Sequence, residues 1–381
     1  MSDLDPAELG AALAQIPLFR EMQQLLMSQS RPVNWEIARQ IAHAVAGAGG
    51  PGPRPLPDEQ PAFEDSSRLA EFRLSQATGL ESRSPVVEVV VLDRTGWADA
   101  NLAGLRPLID RLATRLQSQM QADAVPAIPM NAFLDALGPF LLGVQVGFLI
   151  GYLSRRVLGQ FDLPFPIDRP GRILYVFPNI AELAGELDVE MRQFRLWLAL
   201  HEVAHHLEFT GVAWTRDHFR GLVERYVDAA ELDPSEIMDR LRSLGDPDRL
   251  NRLLERPDEL LPMLMTPAQR EIVKEIQAFM SVLEGYADWA MDEVGRNLLP
   301  ELPKLREGMT RRRAERSSSE RLLEMLLGLD LKLVQYRSGE RFVRAVAGAA
   351  QLGALWERAE NLPTLDEVAE PTRWLSRVAF S

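Results

Sequence analysis

No cysteine occurs among the 381 residues. That absence excludes disulfides, thiolate metal sites and a cysteine nucleophile together, so any metal must be held by nitrogen and oxygen. Lysine is nearly as scarce. Of 42 basic residues only Lys274, Lys304 and Lys332 are lysine, a bias to which no function attaches. Acid outweighs base, and a formal net charge of −13 argues against nucleic acid or an anionic membrane surface as a partner. The one stretch resembling a membrane segment, FLLGVQVGFLIGYL at 140–153, is too short to span a bilayer and carries Gln145 in its middle. Its Gly143, Gly147 and Gly151 recur every four residues, which predicts a buried helix packed closely against a neighbour. The opening MSDLDPAELG lacks the basic and apolar regions of a secretory signal, so a cytoplasmic protein is expected.

Histidine is also rare, yet three of the five fall within residues 201–206, inside the apolar segment FRLWLALHEVAHHLEFTGV at 194–212. At about 100° per residue on a helix, His201 and His205 share a face with Phe194, Trp197, Leu198 and Glu208. His206 points elsewhere, so only the pair at i and i+4 is fit to chelate one ion. Glu202 stands beside the first histidine and completes HEVAH, the HExxH arrangement of zinc hydrolases. Two imidazoles suit zinc (Zn2+), and the Glu is aimed at the metal's water as a base. Zinc lowers the pKa of that water from 15.7 to roughly 7, within reach of a carboxylate. Two unpartnered imidazoles in an apolar helix would otherwise cost several kcal/mol.

A catalytic zinc takes three protein ligands and keeps one position open. Without cysteine, the third must come from His206, His218 or a carboxylate. His218 follows FTGVAWTRD, which lacks the glycine turn and short spacing of metzincins. The stronger candidate is LEGYADWAMD at 283–292, where Glu284 and Asp288 lie four apart beside the apolar stripe Ile276, Met280, Leu283, Ala287 and Met291. This E-x-x-x-D resembles the pattern of gluzincins such as thermolysin-like peptidases, in which the Glu is a ligand and the Asp supports one. Asp288 can accept the spare ring N–H of a ligand histidine and fix its orientation. The 78 residues between His205 and Glu284 exceed the spacing in the compact thermolysin-like enzymes.

Elsewhere the pattern reads mostly helical. Residues 5–47 predict two or three short helices, and 47–61 a Gly/Pro loop or linker. PVVEVVVLD at 85–93 and RILYVF at 172–177 predict strands, the second followed by a capping box of Asn179 and Glu182. A strand shortly before HExxH suits zinc peptidases, which commonly bind substrate along a sheet edge. Helices are expected over 97–121, 130–156, 188–209, 217–231, 234–244 and 320–350. The longest opens with the box Thr266–Gln269 and stops at Gly295. The fold class expected is mainly α with a small β-sheet (α+β), its active-site helix packed against a second long helix. N-terminal helices and linker (1–61) precede a metallohydrolase domain (62–381).

GRILYVFPNI, FRLWLALHEVAHHLEFTGVAW, LEGYADWAMDEVG and LLGLDLKLVQYRSGERFV resemble successive blocks of a zincin-like metallopeptidase family, mostly actinobacterial and often associated with biosynthesis of a deazaflavin cofactor. The resemblance runs from about residue 85 onward. It implies a metal site at the HEVxH and LEGHAD blocks, with Tyr286 here where a His is usual. The last block offers Tyr336, Arg337 and Arg341 as stabilisers of a tetrahedral oxyanion. Together these features predict a zinc-dependent hydrolase of a peptide or small amide. His201, His205 and Glu284 would be its ligands, Glu202 its base and Tyr336 its oxyanion donor. The rival is a catalytically silent scaffold with a structural metal, although such a site has no need of Glu202.

Overall fold

Alternation along a single strand divides the molecule. In β3 (Arg172–Val176) Ile173 and Tyr175 enter one apolar core while Leu174 and Val176 enter another, as successive side chains of a pleated strand must. β1 (Val89–Leu92) pairs with β3 in parallel and β2 (Gly159–Asp162) antiparallel, in the order β1–β3–β2. The structure, a computed structural model, describes residues 32–83, 88–122, 129–162, 171–230, 266–314 and 332–379. The helices expected within 1–31 and over 234–244 lie outside these residues.

Behind Leu174 and Val176 pack α1 (Trp35–Ala46), α3 (Arg94–Ala122) and α4 (Pro129–Ser154). The glycine stripe of α4 does what its spacing predicts. A Cβ at Gly143, Gly147 or Gly151 would run into the backbone carbonyls of Asn34, Ala38 and Ala42, so α1 can lie directly on α4. Among the described residues no helix is long and apolar enough to cross a membrane.

The other face carries α2 (Glu59–Thr78), α5 (Phe177–Leu187), α6 (Met191–Thr210), α7 (Thr215–Asp228), α8 (Pro267–Leu298), α9 (Leu302–Ala314) and α10 (Lys332–Gly348). α6 holds HExxH and packs between α2 and α8, while α10 lies along α8. Phe194, Leu200 and Leu207 of α6 are fully buried in the larger core, each contributing about 1.5–3 kcal/mol. The fold is therefore mainly α with a small sheet, and the active-site helix does pack against a second long helix.

The two sheet edges differ. Along β1, the Gln60 side chain donates to the Val89 carbonyl at 2.5 Å and accepts from the Val91 N–H at 2.9 Å, imitating a neighbouring strand. On β2 the Leu158 carbonyl accepts from Val176 N at 2.9 Å, and the register pairs Gln160 with Leu174. Antiparallel alternation then turns the backbone groups of Gly159 and Phe161 outward, along α6.

Several boundaries differ from expectation. Of the strand expected at 85–93, residues 89–92 form the half-buried β1, with 84–87 outside the described residues, and the strand expected at 172–177 is the central β3. Asn179 and Glu182 form no capping box. Helix α5 follows β3 without a break, and both side chains bind Arg94 instead, at 2.7 and 2.5 Å. Asp188 does not start the active helix but ends α5 in the left-handed region (φ 50°), which Asp tolerates. The box Thr266–Gln269 opens α8 as expected, but the helix runs through Gly295 to Leu298. It stops because Leu299 precedes Pro300 and is held extended.

Candidate metal centre

One turn of α6 separates His201 from His205, and their ring centroids stand 4.8 Å apart with planes at 81°. From α8, Glu284 Oε2 comes within 3.6 Å of His201 Nε2 and 3.8 Å of His205 Nε2. A tetrahedral ion with bonds of roughly 2.0–2.1 Å holds its donors about 3.4 Å apart, so two nitrogens and one oxygen fit zinc with little adjustment. Glycines place the third donor. Gly285 lies against the backbone of Gly339, and Gly339 against that of Ser281, so a Cβ at either would collide with main chain. α10 therefore presses directly on α8 beside Glu284.

The imidazoles are held from behind. His205 Nδ1 lies 2.8 Å from Oε2 of Glu208, which is fully buried and whose Oε1 has no hydrogen-bond partner. An ionised Glu208 can only accept, so Nδ1 carries the proton and Nε2 is left for a cation. A buried carboxylate with one oxygen unsatisfied is costly unless positive charge stands nearby, which supports the fit to a metal. Burial works against charge on His205, yet Glu208, Glu284 and Glu202 together hold its proton up to about 10. Asp288 Oδ1 stands 3.9 Å from His201 Nδ1, close in charge but beyond hydrogen-bond length.

Glu202 lies toward the sheet, within electrostatic reach of both histidines. It is buried beneath Gly159, where any Cβ would strike its carboxylate, and it accepts the outward backbone N–H of Phe161. Burial pushes its carboxyl above the ordinary range, against the pull of His201 and His205.

Other candidates lie elsewhere. His206 is buried edge-on to Phe161, 3.8 Å from Glu71, on another face of α6. His218 packs on the rings of Trp214 and Phe279, and burial lowers its proton affinity. Tyr286 is buried edge-on to Trp356, close enough to feel the charge of Glu208, and is therefore a packing residue behind the site. Arg341 donates to the Ala369 carbonyl at 2.8 Å. Tyr336 and Arg337 lie on α10, their side chains outside the described residues. The sequence reading missed two features, Glu208 as partner of His205 and β2 as the strand over Glu202. A carboxylate three residues past His205 on the ligand face was the available signal for the first. Gly-Gln-Phe-Asp, with no β-branched residue, gave none for the second.

A search of curated proteins finds no match. The chain is similar to a "putative hydrolase with a novel fold" from Chloroflexus aurantiacus, whose crystal structure aligns with a TM-score of 0.67 at 31% identity over 92% of this chain and 99% of that one. The family model for zincin-like metallopeptidases matches residues 33–375, spanning β1 to β3, HExxH and Glu284. This chain belongs to the zincin-like metallopeptidase family.

Proposed function

We propose that the protein is a zinc-dependent hydrolase of a peptide or related amide bond, with His201, His205 and Glu284 as metal ligands and Glu202 as general base. The position of Glu202 carries this reading. Its carboxylate lies between the ligand histidines and the outward edge of β2, buried and with raised proton affinity. A metal held only for structure gives no reason for such a group.

When bound, zinc polarises the scissile carbonyl and acidifies a water. Glu202 takes the proton of the attacking water and returns it to the leaving amine, and a carboxyl titrating closer to neutrality serves both steps. The outward backbone groups of Gly159 and the Phe161 carbonyl suit an extended substrate added as a further strand, the Phe161 N–H being taken by Glu202, while Gln60 covers the opposite edge. Glu208 holds the His205 imidazole in the binding orientation, and Asp288 is the carboxylate facing His201 Nδ1. Tyr336 is the proposed hydrogen-bond donor to the developing oxyanion.

Glu202→Gln tests the assignment. With a defined peptide mixture read by mass spectrometry, the zinc-loaded parent should cleave, and the variant should lose about 10²–10⁴-fold in rate while keeping its zinc. A variant as active as the parent would contradict the role of Glu202.

A further inference from the structure

β2 runs along α6 in step with it. Gly159 and Phe161 pair with Tyr175 and Ile173, which enter the larger core, so both turn the same face toward α6. Two residues of strand advance about 6.8 Å, close to the roughly 6 Å that separates Glu202 from His206 four residues on along the helix. Gly159 accordingly lies over Glu202, and Phe161 over His206. Gln160, between them, turns to the other face and meets Asn101.

The two positions need opposite side chains. Over His206 the Phe161 ring fills the space, edge-on to the imidazole at 5.6 Å and stacked on Phe209 at 5.9 Å. Gly171, just before β3, leaves room for that ring, which a Cβ there would strike. The third histidine of the HEVAHH run thus serves as the footing of β2. Over Glu202 the space belongs to the carboxylate itself. A Cβ at Gly159 would lie 2.6 Å from Glu202 Oε1 and 2.8 Å from its Cγ, well inside the roughly 3.5 Å at which nonbonded atoms rest. The same carboxylate accepts the Phe161 N–H, and with Glu202 only 5% exposed it has little room to turn aside.

We propose that Gly159 is the positioning residue of the general base: β2 carries no side chain over Glu202 so that the carboxylate can seat against the strand's outer edge, while the Phe161 ring on His206 sets the height of the strand. This rests on the role given to Glu202 above. A side chain at 159 displaces the carboxylate or lifts β2 off α6. Alanine in place of a strand glycine ordinarily stabilises, because glycine gives up more backbone freedom on folding. The sign of the change therefore separates a gap filled by Glu202 from an open one.

Melting curves of the metal-free protein give a readout that needs no substrate. Gly159→Ala should lower the midpoint by about 2–6 °C, whereas in the Glu202→Ala background the same substitution should leave it unchanged or raise it. If Gly159→Ala alone does not fold, a folded double variant shows the same coupling, and a double variant that also fails would overturn the proposal. So would equal changes of midpoint in the two backgrounds. With zinc loaded, Gly159→Ala should keep about one zinc per chain and the KM of the parent while kcat on a cleaved peptide falls about 10–100-fold. A kcat equal to the parent's would overturn the positioning role. Failure of the hydrolase reading looks different: the melting midpoints show the reversal, but the parent cleaves no peptide.

Discussion

At the scale of single residues, four carboxylates around two histidines do different work because their surroundings differ. Glu284 faces both Nε2 atoms, Glu202 turns to the sheet edge, Asp288 stands near His201, and Glu208 is buried in contact with His205. Replacing Glu208 by Ala frees the His205 ring and should weaken zinc binding about 10–100-fold in chelator competition. Glu208→Gln keeps an acceptor for Nδ1–H and should lose less. Zinc affinity unchanged in the Ala variant would remove Glu208 from the site. The same environment sets a pH dependence. Because the neighbouring carboxylates raise the proton affinity of His205, zinc competes with that proton throughout the neutral range, and acid favours the metal-free form. Affinity should therefore strengthen as pH rises, by about tenfold per unit for each proton displaced. A zinc titration that is flat between about pH 6 and 8 would contradict the coupling.

At the scale of elements, two glycine crossings have separable effects. At Gly339 an added Cβ meets the Ser281 carbonyl, so Gly339→Ala should push α10 off α8, cost about 1–3 kcal/mol and displace Glu284 from the histidines. Gly147→Ala disturbs α4 against α1 on the far face of the sheet and should destabilise comparably without changing zinc affinity. Melting curves with zinc titrations check both, and equal loss of zinc affinity would contradict the separation. Elements legible in the sequence were those whose signal is local. HExxH, the α8 cap at Thr266 and the glycine spacing of α4 depend on residues a turn apart, and each forms as expected. What escaped depends on residues far apart in the chain. Asn179 and Glu182 look like a cap until Arg94 claims them, and Gly-Gln-Phe-Asp becomes a strand only because β3 pairs with it. The third candidate ligand was legible because Glu284 sits on the margin of a regular apolar stripe. Glu208 sat on the ligand face too, but only the fold supplies the burial that makes it a partner of His205.

At the scale of the whole molecule, a three-stranded sheet separates two helical layers, and the candidate centre belongs to one of them. α6 and α8 bring together candidate ligands with 78 residues between them in the chain, so the centre exists only in the folded chain. The glycine-packed α1–α4 layer supports the sheet from the other side and leaves the β2 edge beside Glu202. The most direct measurement is elemental analysis of the dialysed protein beside His201→Ala and Glu284→Ala after all three are offered zinc. About one zinc per chain in the parent, with clear loss in both variants, is the expected result. A parent that takes up no zinc, or a Glu284→Ala variant that holds as much as the parent, would contradict the three-ligand centre.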